Sequence, residues 1–255
     1  MIDWAWRIPF LFSCVLVAVG VFVRLKLTEA PIFLAVLDES KSKTLPMMEV
    51  MVNHFKPFFL GILICISGYV LFYIMIAFSQ IYAKSAPIIS EAGYVMGLGF
   101  SPQIFTALLM FSSVSLAITI TISGKYIDKV GRRIWLIWTT VGVALFGLVL
   151  PYFLENGTTL SLFWFLIIGM GLIGMGYGPL ASFLPELFPT HARYSGASLT
   201  YNIAGLFGAS VAAIIALPLN ANYGLKGVGI YLTLNAVLSL IGLWFITETR
   251  DRQLL

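Results

Sequence analysis

Seven long apolar runs divide the chain, and short charged bursts separate them. The uncharged stretches cover 8–23, 57–83, 92–124, 134–154, 156–185, 194–225 and 227–247. A membrane-spanning helix needs roughly 20 mostly apolar residues, because the hydrocarbon core is about 30 Å thick and each residue rises about 1.5 Å. With their Gly- and Pro-containing ends trimmed, the runs predict helices near 8–26, 58–82, 102–124, 134–154, 160–184, 195–219 and 228–247. The first run is short, and Arg24 and Lys26 extend it by reaching back to the interface along their apolar stems. Helix is the expected conformation of every run, since each unpaired backbone polar group in lipid costs several kcal/mol. The expected fold is therefore all-α and transmembrane, with seven spans: a first helix over 1–27, a linker over 28–57, a six-helix bundle over 58–247 and a tail over 248–255.

Composition supports lipid as the solvent. The 255 residues are 60% hydrophobic and 10% charged, with a mean hydropathy of +0.97. A soluble domain carries about 25% charged residues, so this chain has too little polar surface to face water on all sides. A net charge of +4 raises the question of nucleic acid, but the basic residues cluster between spans, as positive loops of a membrane protein do. No nucleic-acid partner is expected. Cys14 and Cys65 both lie inside apolar runs and read as packing residues, neither a disulfide nor a metal site. The start of the chain does not read as a cleaved signal peptide, since residues 1–7 carry no net charge and no A-x-A site closes the first run.

The charges also predict orientation. With the amino terminus outside, the inner segments hold Arg24, Lys26, Lys41, Lys43, Lys56, Lys125, Lys129, Arg132, Arg133, Arg193, Arg250 and Arg252, leaving only Arg7, Lys84 and Lys226 outside. Basic residues favour the cytoplasmic side, so the expected arrangement is amino terminus outside and carboxy terminus in the cytoplasm. The connection at 27–57 is long, whereas 125–133, 155–159 and 220–227 are short. One helix, a linker and a six-helix unit follow from that spacing.

One inter-span segment is more particular than a generic basic turn. Gly124-Lys125-Tyr126-Ile127-Asp128-Lys129-Val130-Gly131-Arg132-Arg133 has the spacing G-x-x-x-D-x-x-G-R-R. Gly124 and Gly131 would allow close approach and unusual dihedrals. Asp128 could pair with a helix amino terminus or a basic side chain, and Arg132 and Arg133 would anchor the next helix at the interface.

This segment resembles the signature loop of the major facilitator superfamily, in the copy that follows helix eight. Other stretches resemble its metabolite:proton symporter branch, which includes carriers of shikimate, 2-oxoglutarate, citrate and proline/betaine. They are Trp6-Arg7-Ile8-Pro9-Phe10; Thr28-Glu29-Ala30-Pro31-Ile32-Phe33, with Ala30 where Thr or Ser is usual; Gly178 to Pro189, continuing through Arg193-Tyr194-Ser195-Gly196; and Glu248-Thr249-Arg250-Asp251-Arg252. The resemblance implies that the seven spans are helices six to twelve of a twelve-helix carrier in a bacterial inner membrane. The last six would then form the carboxy-terminal bundle, built from two inverted three-helix repeats. It further implies a missing amino-terminal half as partner, a small polar metabolite as cargo and the proton as coupling ion, with no other cofactor. By resemblance, Asp128 would contact helix five of that missing half.

Candidate site residues follow from polar positions in the spans. Tyr69, Tyr73 and Gln80 fall within about 40° of one helical face at 100° per residue, on the span that resembles cavity-lining helix seven. The ordinary alternative is a helix–helix contact or, for Gln80, an interfacial position. Tyr177 lies on the span that resembles cavity-lining helix ten. Tyr194, Ser198, Tyr201 and Asn202 form a polar strip for which interhelical hydrogen bonding is the plainer reading. Gly169-Met170-Gly171-Leu172-Ile173-Gly174 spells G-x-G-x-x-G, but a dinucleotide site needs a strand, a turn and an acidic residue about 20 positions on. Inside a 30-residue uncharged run, Gly174 and Gly178 suit close helix packing instead. His54 and His191 read as solvated interfacial residues, and no enzyme motif or metal site is expected.

Three functions compete at this stage. The leading one is the carboxy-terminal half of a proton-coupled transporter for a small organic acid or zwitterion, working by alternating access. Spans two to seven carry no Lys, Arg, Asp, Glu or His at mid-depth, the usual mark of a proton relay, so an inactive truncated transporter is the second reading. A seven-helix receptor is the third, although a retinal protein needs a mid-membrane lysine that 227–247 lacks. The topology is directly testable in a background with both Cys14 and Cys65 replaced by Ala: single cysteines at Lys84 and at Lys129 should react with an impermeant maleimide from opposite faces of the membrane. Labelling of both from one face contradicts the arrangement.

Overall fold

A computed structural model of the chain describes Trp4, residues 7–26 and residues 46–248. The chain divides into two compact units, Met1–Lys43 and Thr44–Leu255. The first contains helix α1, Ile8–Lys26, uncharged until Arg24 and Lys26 in its last turn. The motif at Thr28–Phe33 and the tail motif beyond Glu248 lie outside the described residues.

In the second unit, α2 (Pro46–Asn53) leads into α3 (Phe55–Lys84), followed by α4 (Pro102–Val130), α5 (Arg132–Glu155) and α6 (Thr159–Glu186). A final 53-residue stretch, Arg193–Phe245, would be about 80 Å long as one straight helix, far more than a bilayer. It is broken at Gly224, whose φ of 67° and ψ of −170° are not helical. The stretch is therefore two spans, α7 (193–223) and α8 (225–245). With α1, the all-α seven-span arrangement expected from the hydropathy pattern is present among the described residues. Its connections are tighter than expected: a single residue, Gly131, separates α4 from α5, and Gly224 alone separates α7 from α8. Helix α2 and the start of α3 lie inside the segment read as a linker.

Two helix starts show how side chains replace the missing partners of first-turn amides. Ser101 accepts from the Ile104 amide at the head of α4, with Pro102 at the first helical position, and Thr158 accepts from the Ser161 amide at the head of α6. Residues 85–101 connect α3 to α4 in a folded turn with an antiparallel bridge between Ile89 and Val95. That turn covers the α7–α8 corner: Ser90 Oγ donates to the Ala221 carbonyl at 2.7 Å, and a Cβ on Gly224 would lie 2.6 Å from the Tyr94 ring.

Lipid tails are as apolar as leucine, so helices in a bilayer associate through close packing and interhelical hydrogen bonds rather than hydrophobic expulsion. The bundle is built accordingly. Between α4 and α6, Ser115 Oγ donates to the Ile167 carbonyl at 3.0 Å, and Gly174 and Gly178 lie against Thr119 and Ser123. Between α5 and α8, Thr233 Oγ1 donates to the Ala144 carbonyl at 3.0 Å beside Gly147 and Gly229. Between α3 and α8, Ser239 Oγ donates to the Leu63 carbonyl at 2.6 Å. The G-x-G-x-x-G string is thus a packing stripe, with Gly169 against Met75, Gly171 against Ser115 and Gly174 against Thr119.

Gly124 corrects one expectation. It lies within α4, and a Cβ there would meet nothing within 4 Å, so neither unusual dihedrals nor close approach requires glycine in this unit. Gly174→Leu should destabilise the purified chain by about 1–3 kcal/mol, because a Cβ at that position meets the backbone of Leu116 and Ile120 and cannot be accommodated by a side-chain swing. Gly124→Ala should be neutral or stabilising by up to about 1 kcal/mol. Unfolding in mild detergent, followed by circular dichroism, distinguishes the two.

Candidate functional site

Three tyrosines from three spans converge on one open pocket. Tyr69 comes from α3, Tyr177 from α6 and Tyr201 from α7, with Cys65, Phe72 and Leu180 between them, around a space of about 470 Å³ including its open mouth. Each ring is held differently. Tyr69 lies against α7, where Gly208 leaves room for it: a Cβ on Gly208 would be 2.6 Å from the Tyr69 Cβ. Tyr201 donates its hydroxyl to the Leu180 carbonyl at 2.9 Å. Tyr177 stands out from α6 and is 59% exposed. The rings present apolar faces with hydroxyls at their edges, and no Lys, Arg, Asp or Glu lines the pocket among the described residues. Such a surface can bind an organic cation by its π faces and can hydrogen-bond a polar group at the same time.

The remaining sequence candidates do not join this cluster. Tyr73 points its hydroxyl at the Ala213 carbonyl, 3.4 Å away. Gln80 was expected on the Tyr69–Tyr73 face, but a π-helical turn over Ile74–Phe78 intervenes. A π turn holds about one residue more than an α turn, so Gln80 is displaced by about 100° from the face predicted for it. Asn202 is exposed and bonds within its own helix, Nδ2 donating to the Ser198 carbonyl at 2.8 Å. Tyr194 is 86% exposed. Of the polar strip on α7, Tyr201 makes the interhelical hydrogen bond and Asn202 does not.

The second assembly lies at the Gly131 turn. The signature segment was expected to be a ten-residue basic turn, but α4 continues helical to Val130 and α5 starts at Arg132. Gly131 makes the reversal alone, with φ 101° and ψ 139°, a region that disfavours any side chain. The turn brings four helix ends together. Glu248 accepts from the Arg132 amide at 3.1 Å and the Arg133 amide at 3.0 Å, placing a negative charge on the amino terminus of α5. Arg133 donates Nε to the Leu243 carbonyl at 2.7 Å and Nη2 to the Trp244 carbonyl at 3.0 Å, capping the carboxy end of α8. Arg132 pairs with Glu186 at the end of α6, both side chains more than 80% buried, and lies 3.7 Å from the exposed Asp128 carboxylate.

Glu186 and Glu248 were not among the predicted site residues. The available signal was charge balance: Glu186 is the one acidic residue between Glu155 and Glu248, and basic residues dominate this end of the chain. From sequence, His54 and His191 read singly as solvated interfacial residues at helix ends, and the fold brings both beside Glu49.

Residues 1–213 match the family model of the Major Facilitator Superfamily. Over its full length the chain is 84% identical to a metabolite transport protein of Haemophilus influenzae, covering 57% of that protein. It is 38% identical, over 99% of its length, to the inner membrane metabolite transport protein YhjE of Escherichia coli, of which it covers 56%. It is also 25% identical to a proline/betaine transporter of Salmonella typhimurium, over 99% of this chain and 50% of that one. The chain thus spans about half the length of the curated relatives it matches. No solved structure matches it.

The ion network has a distinct energetic signature. Arg132→Ala should cost about 3 kcal/mol, because it leaves Glu186 charged and enclosed. Adding Glu186→Gln should recover roughly half of that loss, since the orphaned charge is removed with its partner. Glu248→Gln should cost about 0.5–1 kcal/mol by removing charge from a helix amino terminus. Denaturant unfolding of the detergent-solubilised chain tests this order, and additive losses in the double variant would contradict it.

Proposed function

The chain belongs to the major facilitator superfamily, and on that premise we propose that it is the carboxy-terminal half of a proton-coupled carrier for a small zwitterion with a cationic nitrogen. The convergence of Tyr69, Tyr177 and Tyr201 from three spans carries the reading. The described lining offers π faces and hydroxyls with no charged side chain, so what it recognises selectively is a cationic nitrogen, which a purely anionic organic acid lacks. A tertiary or quaternary ammonium suits aromatic faces, where each contact is worth about 0.5–2 kcal/mol. The proline/betaine transporters among the relatives bear names in keeping with such a cargo.

In this reading the pocket opens toward an amino-terminal six-helix bundle, and the two bundles rock around the cargo. Spans α3 to α8 carry no ionisable side chain other than tyrosine and cysteine at mid-depth, so proton binding falls to groups of the other bundle. The Gly131 assembly ties α4, α5, α6 and α8 into a unit that moves as one body and presents Asp128 at its surface. The same reading sets the chain in a bacterial inner membrane with its amino terminus outside and its carboxy terminus in the cytoplasm, as the Lys and Arg distribution favours.

The test is uptake of proline and glycine betaine by cells that co-express this chain with the amino-terminal half of the 84%-identical Haemophilus protein. Uptake should depend on the pH gradient and be absent with this chain alone. Tyr177→Leu should raise KM about 3- to 30-fold, the loss of one cation–π contact at about 1.4 kcal/mol per tenfold, while protein levels stay unchanged. Competition by excess citrate but not by betaine, or an unaltered KM in Tyr177→Leu, overturns the zwitterion assignment.

A further inference from the structure

The chain has two histidines, His54 and His191, and folding brings both to one carboxylate. Donor atoms of Glu49, His54 and His191 all lie within 4.8 Å of one another. His191 Nε2 and Glu49 Oε1 are already 2.7 Å apart. Nothing in the transport reading uses this cluster, which lies away from the tyrosine pocket and five residues past Glu186.

Each donor stands on anchored backbone. Glu49 is on α2, which is pinned by the fully buried Val50. His54 joins α2 to α3, its amide donating to the Val50 carbonyl at 3.1 Å and its carbonyl accepting from the Phe58 amide at 3.1 Å. Its side chain makes no capping bond. His191 belongs to the turn between α6 and α7, closed by the Ala192 amide on the Pro189 carbonyl at 3.0 Å and seated on the buried Phe188 and Ala192.

We infer that Glu49, His54 and His191 form a binding site for a zinc-class divalent cation. Two imidazoles and one carboxylate are a ligand set that first-row ions of the zinc, cobalt and nickel type accept, and three protein ligands leave a position for water. Ligand atoms on one tetrahedral ion stand about 3.4 Å apart at bond lengths near 2.1 Å. Glu49 and His191 are already within that spacing, and since no donor pair is more than 4.8 Å apart, closure requires the His54 ring to move inward by no more than about 1.4 Å, within side-chain reach. An ion pair between Glu49 and His191 does not call for the third donor. The bound ion would staple α2, and through it the segment entering the bundle, to the α6–α7 turn beside the Arg132–Glu186 pair.

The experiment uses the full chain with Cys14→Ser, purified in detergent without a histidine tag. Cobalt should give the visible d–d absorption of a nitrogen- and oxygen-ligated ion, displaced by zinc, and zinc at 100-fold excess over its Kd should raise Tm by several degrees. H54A should weaken cobalt binding at least tenfold while leaving the metal-free Tm unchanged, because the Glu49–His191 pair survives it. E49Q should weaken binding as well. Independently of any variant, zinc should protect both histidines from ethoxyformylation, read by mass spectrometry. Wild-type-like binding in H54A, no cobalt absorption in the parent chain, or protection of His191 alone reduces the cluster to an ion pair and overturns the site.

Discussion

A peptide group that loses its helical partner inside a bilayer has no water to turn to, and most of the unusual features of this bundle answer that constraint. Pro179 within α6 lacks an amide hydrogen, so the carbonyl four residues earlier, that of Met175, is released from the ladder. The Trp135 indole of α5 donates to that carbonyl at 3.0 Å. The hydroxyls of Ser115, Thr233 and Ser239 reach carbonyls on neighbouring helices in the same way. Helix ends obey the rule too: Glu248 takes the first amides of α5, and Arg133 takes the last carbonyls of α8. A bond that satisfies one helix therefore fastens it to another.

This fastening locates the pocket. Close glycine contacts draw α6 against α4 and α3 against α7, which leaves Tyr69, Tyr177 and Tyr201 on a shared open side. The two π turns lie on α3 and α7, the helices that supply two of the three rings. Such turns sit often at functional sites because they re-aim side chains without breaking a helix. In α3 the turn moves Gln80 away from the tyrosine face while Tyr69, which precedes it, stays.

The fold was legible to a large extent because lipid imposes one conformation on long apolar runs. Their lengths and the Lys and Arg distribution marked seven helices, and the Gly-rich string inside α6 was read correctly as packing. Helix ends were less legible. Neither the continuation of α4 to Val130 nor the one-residue reversal at Gly131 follows from hydropathy, since a helix persists through charged residues once it leaves the bilayer. Site residues were legible only where a simple 3.6-residue period held. It grouped Tyr69 with Tyr73 and Gln80, of which only Tyr69 lines the pocket and Gln80 lies beyond the π turn. Tyr177 came from the resemblance of its span to a cavity-lining helix, and Asn202 was placed beside Tyr201 although they face different surroundings. Partners distant in sequence, such as Arg132 with Glu186 or Glu49 with His191, leave no periodic trace at all.

The separation of charge from the pocket has a mechanical consequence. Ionic contacts are strong where they are enclosed and costly to break, so the Arg132–Glu186 pair and the Glu248 cap make the Gly131 end of the bundle stiff. The pocket, by contrast, is lined by rings and small residues whose contacts are individually weak and interchangeable. The proposed carrier, rocking two halves around its cargo, would need this division: the parts that hold a half together must outlast each cycle, while those that hold cargo must release it. Asp128, exposed at the stiff end and only loosely paired with Arg132, is the one carboxylate of that assembly left able to exchange partners.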